Sequence, residues 1–453
     1  MSLRCAHLYS TAAFLSLVIT PSLATTSPSL TSLYLFSGGA TNSGEPNGAV
    51  AQDASGALYG FTGQGGVTSC FPGNTAGCGT MFKLTPPKTG QSNWIYSLLW
   101  DFPASKMDGY FYYGTSGTPI FDSNGNIYGS APAGGVNNPA NCSPAGVPGC
   151  GVIFELSPPA QGKTKWTETI LWDFTGGADG SAPQPGLARD SSGALYGETQ
   201  VGGANGTGTV FKVQPPAAGK TAWTETTLYN FLPTDVDPVG TPLLDASGDI
   251  FGLVSSGGTG SSGTVYELTP PAAGSTKWKR RTIYNVGGGA KGNVPWGGLV
   301  FGSAGELYGT ANNGGSNANL GGTVFELVPR KNGTYVPKIL WNFGTNDGKS
   351  PQGPLLIDKS GAIFGTTEAV VYSPEKGFTP PYGAVWKLAK VAGKAKWSRT
   401  VIWPFTSGSD GAYPGPLFVD SNGTLYGMTA GGGNPAPNEW GVVFSVTGSG
   451  FKP

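Results

Sequence analysis

One phrase organises this chain. Ser192-Gly193-Ala194-Leu195-Tyr196-Gly197 returns in related form at 55–60, 124–129, 247–252, 304–309, 360–365 and 422–427. Its aromatic falls at Tyr59, Tyr128, Tyr196, Phe251, Tyr308, Phe364 and Tyr426, a spacing of 55 to 69 residues. A repeat of this length built from short strands marks a propeller or an array, not separate domains. Chain length alone would suggest about three domains; the repeat overrules it.

The third unit shows the plan. A short strand at 185–190 is followed by the Ser-Gly turn and a second strand at 194–199. A Gly-rich loop leads to a third strand at 208–213, which ends at Pro215-Pro216 because proline has no place inside a ladder. The stretch 223–231 alternates polar and apolar residues as a half-buried fourth strand should. Four antiparallel strands per repeat make a propeller blade. The 76 glycines stand at fixed places beside aromatics, which points to tight turns and not to a disordered chain. Asp53, Asp122, Asp190, Asp245, Asp358 and Asp420 each precede a turn and read as side-chain caps of its backbone. The fifth unit has Phe301-Gly302 there instead.

The seventh unit stops after its third strand at 442–446, and the missing fourth stands at the other end as Leu33-Tyr34-Leu35-Phe36. The expected fold is therefore all-β, one seven-bladed propeller over 25–453, closed when 33–36 pairs beside 442–446. Such closure also removes an open sheet edge.

Residues 1–24 have the pattern of an export signal: Arg4, an apolar run from Ala12 to Ile19, and Ser22-Leu23-Ala24 as a cleavage site. The run is too short to span a bilayer. A secreted or periplasmic monomer is expected. The single histidine, His7, lies in that signal, so the mature chain would lack histidine altogether. That excludes Ser-His-Asp and Cys-His catalysis and His-ligated zinc. No cofactor or metal is expected, since no loop is acidic enough for calcium. Zero net charge leaves no footprint for nucleic acid. Cys70 and Cys78 stand eight apart, as do Cys142 and Cys150, each pair at the same place in its unit. Two local disulfides are expected, because thiols of an exported protein oxidise more often than they bind zinc.

Gly-x-Leu-Tyr-Gly-Thr-Thr, then Gly-Gly, Gly-Thr-Val-Phe-Lys-Leu and Leu-Tyr-x-Phe resembles the GloVer tandem repeat over nearly the whole mature chain. The resemblance implies an exported bacterial protein with propeller-like repeats, and no particular reaction. GloVer proteins carry various C-terminal anchors; no such tail follows Phe444 here. The Asp-x-x-Gly-x-Leu-Tyr phrase is also similar, more loosely, to NHL-type and lactonase-type propellers.

The loops from strand two to three share a face with those between blades, and loops on a rigid scaffold are free to carry function. On that face fall Glu45, Asp108, Tyr110, Tyr112, Asp179, Trp296, Asp347, Asp410, Tyr413 and Trp440. Acids beside aromatic rings suit sugars: rings stack on apolar sugar faces and carboxylates accept hydroxyl hydrogen bonds. The plainer reading of the Asp-Gly pairs is a turn. Three functions stay open. The first is a binding module for a polysaccharide or a cell-surface protein. The second is a histidine-free polysaccharide lyase or glycoside hydrolase using Asp108, Tyr112, Asp347 or Asp410. The third is an architectural envelope protein. The opposite face, made of Ser-Gly turns and Pro-Pro loops, repeats almost unchanged and reads as scaffold.

Overall fold

The computed structural model describes residues 27–38, 43–46, 48–66, 77–102, 109–110, 117–136, 142, 149–316, 321–344, 348–369, 382–433 and 440–453. The expected export signal, Cys70, Asp108, Tyr112 and Asp347 lie outside them. Seven antiparallel sheets form the blades of one propeller. A single 3-10 turn, Gly289–Lys291, is the only helical element among the described residues.

Blade 5 illustrates the unit. Asn293–Phe301 lies innermost, followed outward by Leu307–Asn313, Thr323–Pro329 and Tyr335–Asn342. Its second and third strands explain the repeated phrase. Gly309 pairs across the ladder with Phe325, and a Cβ at Gly309 would stand 2.5 Å from that ring. The same Gly–aromatic pairing recurs in every blade, from Gly60 with Phe82 to Gly427 with Phe444. The glycine of Leu-Tyr-Gly is thus the slot into which the aromatic of Thr-Val-Phe lies down. A methyl group there would force the densely packed core apart.

The last aromatic of each fourth strand then joins one blade to the next. Phe102 meets Phe154 at 5.2 Å, Phe174 meets Phe211 at 5.1 Å, and Phe231 meets Tyr266 at 5.5 Å. Phe343 meets Trp386 at 5.4 Å and Phe405 meets Phe444 at 5.1 Å. Such pairs add about 0.5–1.5 kcal/mol each to the burial of their rings. Between blades 4 and 5, where Val286 stands in the fourth-strand position, Tyr284 supplies the contact to Phe325 at 5.5 Å.

The strand Ser29–Leu35 supplies the seventh such joint. It pairs antiparallel with Val442–Thr447, Tyr34 opposite Val443 and Leu35 opposite Val442, so the expected closure is present. Phe36 is fully buried and meets Phe82 of blade 1 at 5.3 Å. Tyr34 stacks on Tyr96 of that blade at 4.6 Å. The N-terminal strand therefore completes blade 7 and also packs against blade 1.

The aspartates before the turns act as read from the sequence. Asp190 accepts from the N–H groups of Ser192 at 2.9 Å and Ala194 at 3.0 Å, while the Tyr196 hydroxyl returns to it at 3.0 Å. Desolvation pushes its carboxyl up, but these donors outweigh it and hold it below the usual range. In blade 5, which lacks the aspartate, Glu306 reaches back from inside the turn to accept the Ala304 N–H at 3.0 Å. Cys142 and Cys150 form a disulfide, and Cys78 is also disulfide-bonded.

Candidate functional site

The blades are held at the axis by a motif that recurs with variation: x-Pro-z followed by Gly or Pro, at the start of the innermost strand. Glu45-Pro46, Ala182-Pro183, Asp237-Pro238, Val294-Pro295, Ser350-Pro351 and Tyr413-Pro414 are its six copies. In each, residue x has a positive φ, between 51° and 66°. Side chains rarely adopt this conformation, and it persists only where the surroundings over-determine it. Here the cause is a contact between blades. In five of the six the N–H of x donates to the preceding blade, as Ala182 does to Cys150 O at 2.9 Å, Val294 to Ser262 O at 3.1 Å and Tyr413 to Tyr382 O at 2.9 Å. The proline that follows presses on the glycine opening that blade's third strand. A Cβ at Gly151, Gly263 or Gly383 would lie 2.3–2.5 Å from the Cδ of Pro183, Pro295 or Pro414.

This clasp aims residue z at the axis. Gln184, Val239, Trp296 and Gln352 are the z residues of blades 3 to 6, and all four line one central cavity of ≈280 Å³. Its paving is backbone: Gly297 crowds Gly353 and Gly240 crowds Gly298 so closely that a Cβ would stand 2.5–2.8 Å from the neighbour's nitrogen. Asn312, Glu368 and Ala430, from the ends of the second strands, complete the wall with Tyr413. The cavity thus lies toward the face of the strand two-to-three loops.

Trp296 and Tyr413 are 40% and 39% exposed, unusual for rings this near the axis of a packed ring of blades. Tyr413 stands edge-on to Tyr382 at 6.2 Å. Gln352 Nε2 donates to Ser350 O at 3.1 Å and to Glu368 Oε2 at 3.2 Å. Gln184 Nε2 donates to Pro238 O at 2.7 Å. Glu368 is open to the cavity yet walled by protein, and desolvation raises its carboxyl pKa.

The other candidates read from the sequence stand elsewhere. Asp179 and Asp410 are buried at equivalent places and serve their own loops. The Asp410 carboxylate accepts from Thr406 N at 3.0 Å, Thr406 Oγ1 at 2.5 Å and Trp403 Nε1 at 3.3 Å. Asp179 repeats the pattern with Thr175 and Trp172. Removing the carboxylate should strand a backbone N–H and an indole N–H. Asp410→Ala is expected to cost about 1–3 kcal/mol by thermal or denaturant unfolding while leaving ligand affinity intact. Trp440 lies flat on backbone: a Cβ at Gly38 or Gly44 would stand 2.1 or 2.3 Å from its ring. Glu45 is half-buried beside Gln64; burial pushes its carboxyl up and the Gln64 hydrogen bond pulls it back. Tyr110 lies on a short strand, Gly109–Tyr110, paired with Ala133–Gly134.

Sequence reading missed Gln184, Asn312, Gln352 and Glu368. Aligning the repeats on x-Pro-z rather than on Asp-Gly would have found the z positions. On the opposite face a broader groove of ≈590 Å³ opens between blades 7 and 1, bordered by Asp53, Asp420 and Trp94. Its aspartates already cap their turns.

Residues 141–373 and 238–452 each match the Gloeobacter/Verrucomicrobia repeat, together spanning more than half of the chain. The chain belongs to that repeat family. No curated protein matches it. Among solved structures, this Gloeobacter/Verrucomicrobia repeat protein is similar to a polysaccharide lyase of family PL25, an ulvan lyase, bound to -[GlcA(1-4)Rha3S]-. The likeness has a TM-score of 0.51 at 10% identity and covers 92% of this chain and 95% of that one. PhoX of Pseudomonas fluorescens in complex with vanadate follows at a TM-score of 0.46 and 12% identity, covering 93% and 94%. A gluconolactonase of Xanthomonas campestris gives a TM-score of 0.35 at 12% identity, covering 65% and 78%. These likenesses concern the fold.

Among the described residues no helix is long and apolar enough to cross a membrane. Nor, among them, does any group of three or more His, Cys, Asp or Glu residues stand together as a metal site.

Proposed function

We propose that this repeat protein is an exported, monomeric binding module whose central cavity recognises a glycan of a polysaccharide or cell surface. The observation that carries the reading is the joint presence of Trp296 and Tyr413, exposed, in one cavity with Gln184, Gln352, Asn312 and Glu368. Aromatic faces beside amides and a carboxylate suit sugar rings, which present apolar faces and polar rims. The clasp supports the same reading. It fixes the backbone at Gln184, Trp296 and Gln352, so the site is preorganised and recognition loses little entropy on binding. Export fits the Cys142–Cys150 bridge, since disulfides persist in oxidising compartments.

The test is retention of the purified protein on a panel of immobilised polysaccharides, with assay for new reducing ends and unsaturated products. Trp296→Ala is expected to weaken retention at least tenfold without lowering the melting temperature, because the ring is exposed. Retention unchanged in that variant, or no retention on any polysaccharide, would remove the reading. Release of products would instead favour a lyase or hydrolase.

A further inference from the structure

The cavity wall carries a chemical bias that the glycan reading does not require. Gln352 spends both amide N–H groups on the protein and Gln184 spends one, and the partners leave no choice of orientation. The carbonyls of Pro238 and Ser350 can only accept, so each nitrogen must face them. Neither Gln carbonyl oxygen has a hydrogen bond among the described residues, and both residues line the cavity. Asn312 adds a buried Oδ1 with no partner among the described residues. Glu368 adds a carboxylate. Against these acceptors the lining sets the Trp296 indole, the Asn312 amide nitrogen and the second Nε2–H of Gln184 as fixed side-chain donors, and among the described residues it contains no lysine or arginine. The wall is acceptor-rich, negatively charged and aromatic.

We infer that the cavity selects a glycan bearing a protonated amine, an amino sugar without its acyl group. An ammonium offers three donors and no acceptor, which complements acceptors that have none of their own. It also provides a counter-charge for Glu368, and aromatic faces attract cations. A uronate would bring a second carboxylate toward Glu368 with no cation in the lining to offset it. The inference rests on the glycan-binding reading and narrows it to one class. It also fixes a pH dependence. Glu368 must be ionised to receive the ammonium, and desolvation raises its pKa, so affinity grows as pH rises through its titration. Binding declines again where the amine itself loses its proton.

Isothermal titration of the full chain at pH 6 distinguishes the outcomes. The probes are a fully deacetylated chito-oligosaccharide, its N-acetylated counterpart, a neutral gluco-oligosaccharide of equal length and an oligouronide. The deacetylated probe should bind at least tenfold more tightly than the others. That preference should shrink with added salt, a readout that needs no variant. In Glu368→Gln it should vanish while binding of the N-acetylated probe persists. Equal affinity for the N-acetylated or neutral probe, tightest binding of the oligouronide, or a preference untouched by Glu368→Gln would overturn the inference and leave glycan binding standing. Binding of no probe would overturn both.

Discussion

Phe36→Ala is expected to destabilise the protein by about 3–5 kcal/mol, the range for truncating a buried phenylalanine, although the residue belongs to the N-terminal strand. Its ring is fully buried, and it is blade 7's contribution to the joint with Phe82. Deleting residues 27–37 should cost far more. It removes the whole ladder along Val442–Thr447, the Tyr34–Tyr96 stack and the cover over Leu58 and Val443. Calorimetry should then show no cooperative transition at the parental temperature. A synthetic peptide of residues 27–38 added in trans should restore one, because the vacated groove keeps its unpaired edge. A deletion that melts like the parent would mean that the ring closes without this strand.

Glu198→Gln is expected to remove a large part of the pH dependence of stability between about pH 5 and pH 8. Glu198 is fully buried between blades 3 and 4, where it accepts the Tyr266 hydroxyl and leaves Oε2 with no partner among the described residues. Burial pushes its carboxyl up to about 8; the Tyr266 hydrogen bond only partly offsets this. The folded state therefore holds a proton that the unfolded chain releases near its ordinary pKa of 4.5. Stability is greatest below that value, falls as pH rises toward 8, and is level beyond it. The difference amounts to about 3–5 kcal/mol, at about 1.4 kcal/mol per pH unit. Glutamine cannot ionise, so the variant should lose this share of the slope, keep the share of Glu225, whose carboxyl is pushed up to about 7 by burial, and exceed the parent above pH 8. It still leaves one buried amide group unpaired, which should make it the less stable protein at pH 4.5. Denaturant midpoints from pH 4 to 9 measure this, and parallel profiles would contradict it.

The fold was legible because its joints repeat. Leu-Tyr-Gly and Thr-Val-Phe are two halves of one contact, and Leu-Tyr-Leu-Phe36 could be recognised as the missing seventh copy before any coordinates. The turn aspartates were legible for the same reason. The site was legible only in part. Trp296 and Tyr413 stand out as aromatics near glycine and proline. Gln184, Gln352 and Glu368 do not, since a function that varies from blade to blade leaves no repeat to read. Asp179 and Asp410 drew notice as exposed-looking acids, yet each has a tryptophan seven residues before it and a threonine four before it, which are its partners. Glu198 was hidden because its partner Tyr266 is 68 residues away, in the next blade. Contacts between blades between residues of unrelated type are what a single sequence conceals.

The inter-blade clasp shows how a uniform scaffold can carry a varied site. Residue x is strained in six blades, and in five of them its amide and the following proline are committed to the neighbouring blade. Substitution at z therefore changes the cavity without altering the ring. This is the arrangement expected where one fold takes on many ligands by varying side chains on a fixed frame.

A crystal structure of the protein with the tightest oligosaccharide from the binding panel tests the central claim most directly. The sugar should occupy the cavity at the axis, one ring against Trp296 or Tyr413 and a polar substituent within hydrogen-bond distance of Glu368. Density for the sugar in the groove between blades 7 and 1, or anywhere on the face of the Ser-Gly turns, would contradict it.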